Sequence, residues 1–106
     1  MKIIKTKFFE NQLKDLSKKY PKINKDYLFF EWKLNLEPFS DLWSWILKYR
    51  IKNSSIPVWK RWGFRIIVKV YLNNILPLLI YSKTIKENVS DIEIIQALEN
   101  VLEEIN

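Results

Sequence analysis

An α+β domain is the fold class the sequence predicts, and three observations predict it. Helical spacing of apolar residues runs through the first third of the chain, strict alternation takes over from Leu47 to Lys83, and a capping box at Ser90 restores helical spacing to the end. With 106 residues, 48% of them hydrophobic and 15% aromatic, the chain has enough apolar area for one domain with its own core and too little length for two. Residues 1–106 therefore read as a single domain.

The elements follow in order. Lys2 to Phe8 alternates between apolar and basic residues and predicts a short first strand. Phe9, Leu13, Leu16 and Tyr20 recur at helical spacing, and Ile23, Tyr27, Phe30 and Leu34 repeat it after Pro21, which can open a helix but not sit inside one. A helical hairpin results, closed by Pro38, with Phe39 to Trp45 as a loop. From Leu47 the period is two: Leu47, Tyr49 and Ile51 share one face, Lys48, Arg50 and Lys52 the other. Asn53 to Pro57 is turn-rich. Gly63 opens a strand in which Phe64, Ile66, Val68 and Val70 oppose Arg65, Ile67, Lys69 and Tyr71, and Asn73-Asn74 suits a hairpin turn. Leu76 to Lys83 is the next strand, with Tyr81 and Lys83 on one face and Pro77 pointing to an edge or strand end. Ser90 and Glu93 then start a helix whose stripe is Ile92, Ile95, Leu98, Leu102 and Ile105. The expected order is β-α-α-β-β-β-α, a mainly antiparallel sheet packed against helices on one side.

Charge is distributed unevenly. The formal net charge is +6, but six of the twelve carboxylates lie in residues 87–106, which hold no Lys or Arg, leaving 18 basic against 6 acidic residues before them. Nine basic residues between Leu42 and Lys86 (Lys48, Arg50, Lys52, Lys60, Arg61, Arg65, Lys69, Lys83 and Lys86) meet no acidic one. That is the footprint of a polyanion site; a basic face kept for solubility would carry interspersed carboxylates. The acidic C-terminal helix reads as a solvated face, the alternative being that it lies over the basic surface.

The chain has no Cys and no His, which excludes disulfides, Cys/His zinc sites, thiol nucleophiles and imidazole acid–base chemistry. No cofactor box and no metal set is expected. Any chemistry must use Lys, Arg, Tyr, Ser or carboxylates. The longest apolar run, Ile75 to Tyr81, is far short of a membrane span, and Lys5 and Lys7 interrupt any signal-peptide core, so a soluble cytoplasmic protein is expected.

Tyr49-Arg50-Ile51-Lys52-Asn53-Ser54-Ser55-Ile56-Pro57, then Gly63-Phe64-Arg65-Ile66-Ile67, then Ile80-Tyr81-Ser82-Lys83 through Lys86 to Ser90 together resemble the RelE/ParE superfamily of toxins from type II toxin–antitoxin modules, on its RelE/HigB-like branch. The resemblance runs over essentially the whole chain. It implies a microbial RNase-like fold, an endoribonuclease that cuts mRNA, often on the ribosome, and a cognate antitoxin protein. On the family's pattern Lys52 becomes the general base, Arg50 a phosphate holder and Arg65 the stabiliser of the scissile phosphate. The family's C-terminal acid is replaced here by Val89-Ser90, so Tyr81, Lys83 or Lys86 would have to donate the proton. Lys48, Lys60, Arg61, Lys69 and Lys86 complete the expected RNA contacts. The residues agree with that chemistry: RNA cleavage without metal needs a base for the 2′-hydroxyl, cations for the charge on phosphorus and an acid for the 5′-oxygen. A ParE-like inhibitor of DNA gyrase and a non-catalytic RNA-binding module are the rival functions; Arg50, Lys52 and Arg65 favour the nuclease.

The chain departs from the family in one respect. It has one Gly and five Trp, and Trp43, Trp45, Trp59 and Trp62 fall where relatives carry Gly. One explanation is that the source lineage inserts Gly at the codons read here as Trp. The other keeps the tryptophans and makes Trp59-Lys60-Arg61-Trp62 a surface for stacking bases.

Overall fold

In the computed structural model, residues 2–33, 40–57, 59 and 62–106 are described, with the side chains of 40–42 left out. Eight elements follow one another: β1 (Lys2–Ile3), α1 (Lys7–Ser17), α2 (Ile23–Trp32), β2 (Ser40–Trp43), β3 (Ile46–Ile51), β4 (Phe64–Tyr71), β5 (Asn74–Ser82) and α3 (Asp91–Ile105). They build an α+β fold on a five-stranded sheet of order β1-β5-β4-β3-β2, antiparallel except for the β1–β5 pair. No helix among the described residues is long and apolar enough to cross a membrane.

The first strand stops at Ile3 rather than Phe8, because Thr6 turns the chain into α1 by accepting a hydrogen bond from Phe9 N at 3.3 Å. The next two free amides of that helix, Lys7 N and Phe8 N, donate to the Glu104 carboxylate of α3 at 2.9 and 2.8 Å. Ser40–Trp43, expected to be loop, is a strand paired with β3. Leu34, Pro38 and Phe39 lie outside the described residues.

Alternation divides the core as the sequence requires. Tyr49, Ile51, Phe64, Ile66 and Val68 face the hairpin residues Phe9, Leu13, Ile23, Tyr27 and Phe30. Ile46, Ile67, Leu76, Leu78 and Tyr81 face Ile94, Ala97 and Val101 of α3. Helices therefore cover both faces of the sheet, not one. The buried face of α3 is turned from the expected stripe: Ile94, Ala97 and Val101 go in fully, Leu98, Leu102 and Ile105 pack partly against the same core, and Ile92 and Ile95 stay exposed.

A bulge breaks the alternation of β5: Ile67 pairs with Leu79 and Val68 with Pro77, leaving Leu78 over, so that Leu78 and Leu79 both pack toward α3. Pro77 lies on the stretch of β5 that β1 does not reach. There the Gln12 amide takes the place of a strand, donating to Leu78 O at 2.9 Å and accepting from Ile80 N at 3.1 Å.

Both tight hairpin turns have two central residues at positive φ, Ser44 (47°) with Trp45 (61°) and Leu72 (49°) with Asn73 (63°). This is the geometry that favours Asn-Gly. The second turn sits one residue earlier than Asn73-Asn74. Of the four tryptophans expected at glycine positions, Trp45 alone stands at positive φ among the described residues, while Trp43 packs against the α3-side core. An L-residue there costs about 1–2 kcal/mol, and Trp45 is 67% exposed, so it recovers little by packing. Trp45→Gly is expected to stabilise the fold by about 1 kcal/mol, read as a higher urea midpoint at unchanged slope; a lower midpoint would mean the indole is needed where it stands.

Candidate nucleic-acid interface

The α3-side face of the sheet holds a cluster of cations at the end where β3 finishes and β4 begins. Arg50 and Arg65 stand directly opposite one another across the β3–β4 ladder, and Tyr81 is opposite Arg65 on the next strand. Like charges in such register repel one another, and an anion shared between them would relieve that repulsion. Arg65 is 2% exposed and donates to Phe64 O at 3.4 Å. Burial, and then the charge of Arg50, pull its pKa below that of an ordinary guanidinium, with Tyr81 acting the other way.

Lys48 belongs to the same cluster. It is 9% exposed, and its ammonium donates to Asn88 Oδ1 at 3.3 Å. Burial lowers its pKa, and the charges of Lys83, Arg65 and Arg50 lower it further. The phenol of Tyr81 is shifted the opposite way: burial raises it, Arg65 opposes, and Glu93 adds to the rise. Its hydroxyl is buried and has no hydrogen-bond partner among the described residues. Lys83 donates from Nζ to Glu87 O at 2.7 Å. Four cations and one protonated phenol thus converge, with Glu93 close enough to act on Tyr81, itself bound to Lys86 at 2.5 Å and held below the usual carboxylate range chiefly by that bond.

The expected site residues separate into groups. Arg50, Arg65, Tyr81, Lys83 and Lys48 come together. Lys52 does not join them: it lies past the last residue of β3, is exposed, and lines a groove of about 620 Å³ with Leu28, Phe29, Trp32 and Arg50, together with a second, more polar groove beside Lys22, Ser55 and Trp59. Lys69 is at the far end of the strands, its ammonium donating to Ser44 O in the β2–β3 turn. Lys86 is engaged with Glu93. Lys60 and Arg61 lie outside the described residues.

What turns Lys52 away is the docking of the following loop. Ser54 donates from its backbone N and its hydroxyl to the two carboxylate oxygens of Asp26 on α2, at 2.9 and 2.5 Å, and Ser55 Oγ accepts from Lys22 N at 3.0 Å. The Asn-Ser-Ser run is thus a structural anchor, a role the sequence reading did not give it. Its partner Asp26 is a buried acid inside an apolar helix face, which is the signal that could have found it.

Among the described residues no group of three or more His, Cys, Asp or Glu could hold a metal ion. Comparison of the chain with protein-family models, with curated proteins and with solved structures gives no match.

Proposed function

We propose that this protein is a metal-independent endoribonuclease of the RelE-like kind, the toxin of a toxin–antitoxin pair, with mRNA as its substrate, free or on the ribosome. The observation that carries the reading is the cross-strand Arg50–Arg65 pair with Lys48, Lys83 and a protonated Tyr81 around it. Two forked guanidiniums side by side match a phosphate diester that gains charge in the transition state. Lys48 takes the proton of the 2′-hydroxyl, because burial and three neighbouring cations make its free amine more accessible than that of an ordinary lysine. The 2′-oxygen then attacks phosphorus, and Tyr81 returns a proton to the departing 5′-oxygen. The products are a 2′,3′-cyclic phosphate and a 5′-hydroxyl. The resemblance gave the base to Lys52; its place in the grooves suits contact with the RNA strand instead.

An antitoxin with acidic residues around an apolar face suits the groove in which Leu28, Phe29 and Trp32 are exposed beside Lys25, Arg50 and Lys52. Occupying it would deny RNA the Arg50 side of the cluster.

Incubation of the purified chain with RNA, with and without ribosomes and with EDTA throughout, tests the reaction. Cleavage is expected to persist in the chelator and to leave cyclic phosphate ends. Loss of cleavage on chelation, or 5′-phosphate ends, would refute the mechanism, and gyrase inhibition without cleavage would replace it.

A further inference from the structure

Beside the loop that follows β3 lies a groove of about 760 Å³ that the cleavage step does not use. Lys22, Lys52, Ile56, Pro57 and Trp59 line it with Ser54 and Ser55, so two cations and an indole border it and no carboxylate does. Its loop is already fixed. Both oxygens of Asp26 hold Ser54, Ser55 Oγ accepts from Lys22 N at 3.0 Å, and Ser55 N donates to Oδ1 of the buried Asn53 at 3.0 Å. The ammonium groups of Lys22 and Lys52, by contrast, have no hydrogen-bond or ion-pair partner among the described residues.

Trp59 is the residue of this groove that the fold explains least. It is 79% exposed, belongs to neither core cluster and makes no ring contact among the described residues. An indole left that open adds little hydrophobic stabilisation. Its backbone is nonetheless held, since Trp59 O accepts from Trp62 N at 2.8 Å, and it does not stand at positive φ, so nothing in the chain path asks for glycine there. An open aromatic face on a held backbone, beside unpaired ammonium groups, is the means by which proteins grip single-stranded nucleic acid: cations follow the phosphates and bases stack on the ring. An acidic peptide would answer the two lysines and draw nothing from the indole face, whereas a nucleotide answers both.

We propose that this groove is a nucleotide subsite for the RNA strand, in which one base stacks on Trp59 and the phosphates flanking it bind Lys52 and Lys22. The choice of RNA rests on the nuclease reading; the stacking and the phosphate contacts do not. Lys52 borders this groove and the one that Arg50 lines, so the subsite continues that groove. Stacking accepts any base, and the subsite therefore fixes the position of the strand and not its sequence. Of the two explanations for the tryptophans, this is the one that keeps Trp59.

The test uses the whole chain and a short single-stranded RNA made uncleavable by 2′-O-methylation. Trp59→Leu is expected to weaken binding about ten-fold, and Trp59→Phe, which keeps a ring to stack on, by less than about three-fold. Trp45→Leu, the same change at an exposed indole beyond the opposite end of β3, is the control and is expected within about two-fold of wild type. The RNA should quench the indole emission of wild type and much less that of Trp59→Phe. Lys22→Gln and Lys52→Gln are each expected to lower the slope of log affinity against log salt by about 0.7, the value for one phosphate of a single strand. Equal affinity for Trp59→Leu and wild type overturns the subsite. So does binding of poly-glutamate that falls with Trp59→Leu as far as RNA binding does, which would give the groove to an acidic protein. Cleavage by wild type with an RNA affinity indifferent to Trp59 removes the subsite alone. Trp59-dependent binding with no cleavage by any form removes the nuclease reading, and with it the choice of RNA over DNA, while the stacking site stands.

Discussion

Arg65→Met is expected to lose RNA cleavage by about 100- to 1,000-fold, the range for removing one charge-stabilising donor from a preorganised site, and to lose growth arrest with it. Methionine keeps an unbranched stem in the buried slot, so little cavity is left. Far-UV and near-UV circular dichroism matching wild type would show that the loss is of function and not of fold. Full cleavage by Arg65→Met would sink the site assignment. In the same assay Lys48→Met should match its loss, whereas Lys52→Met should weaken RNA binding and spare the chemical step; the reverse outcome would return the base to Lys52.

Gly63→Ala is expected to cost the fold about 2–3 kcal/mol, or roughly 10–20 °C in thermal midpoint for a domain of this size. A Cβ at Gly63 would meet Ile51 O at 2.2 Å and Asn53 N at 3.0 Å, both backbone atoms that cannot rotate aside. The glycine is needed here for close approach, not for positive φ. Gly63 O also accepts from Lys83 N at 2.9 Å, so the strain would spread to the end of β5. A thermal midpoint for Gly63→Ala equal to that of wild type would show that β4 enters the sheet by another path.

Particular residues show how far the sequence reached. Alternation along β3 and β4 is a property of extended backbone itself, and it correctly sent Tyr49, Ile51, Phe64 and Ile66 to one side and Arg50 and Arg65 to the other. The Ser90–Glu93 box marked the start of α3 for the same reason, since a cap is satisfied within three residues: Glu93 N donates to Ser90 Oγ at 3.2 Å. The surplus of Lys and Arg over residues 42–86 could likewise be counted without a fold.

Where an answer depended on distant residues, pattern failed. Ser40–Trp43 has no period of its own and becomes a strand because β3 offers an edge. The face of α3 is centred on Ile94, Ala97 and Val101, with Leu98, Leu102 and Ile105 at its margin and Ile92 and Ile95 outside it, because the core it meets is built from Ile46, Ile67, Leu76 and Leu78 of the remote strands. Placement of the lysines turned on the same kind of contact. By alternation Lys48 and Lys52 are equivalent, but Asp26 draws Ser54 onto α2, β3 ends at Ile51, and Lys52 leaves the sheet face while Lys48 stays under Asn88. Backbone periodicity and residue counts are local quantities that the chain carries with it; burial, and the electrostatics that burial strengthens, exist only once remote segments meet.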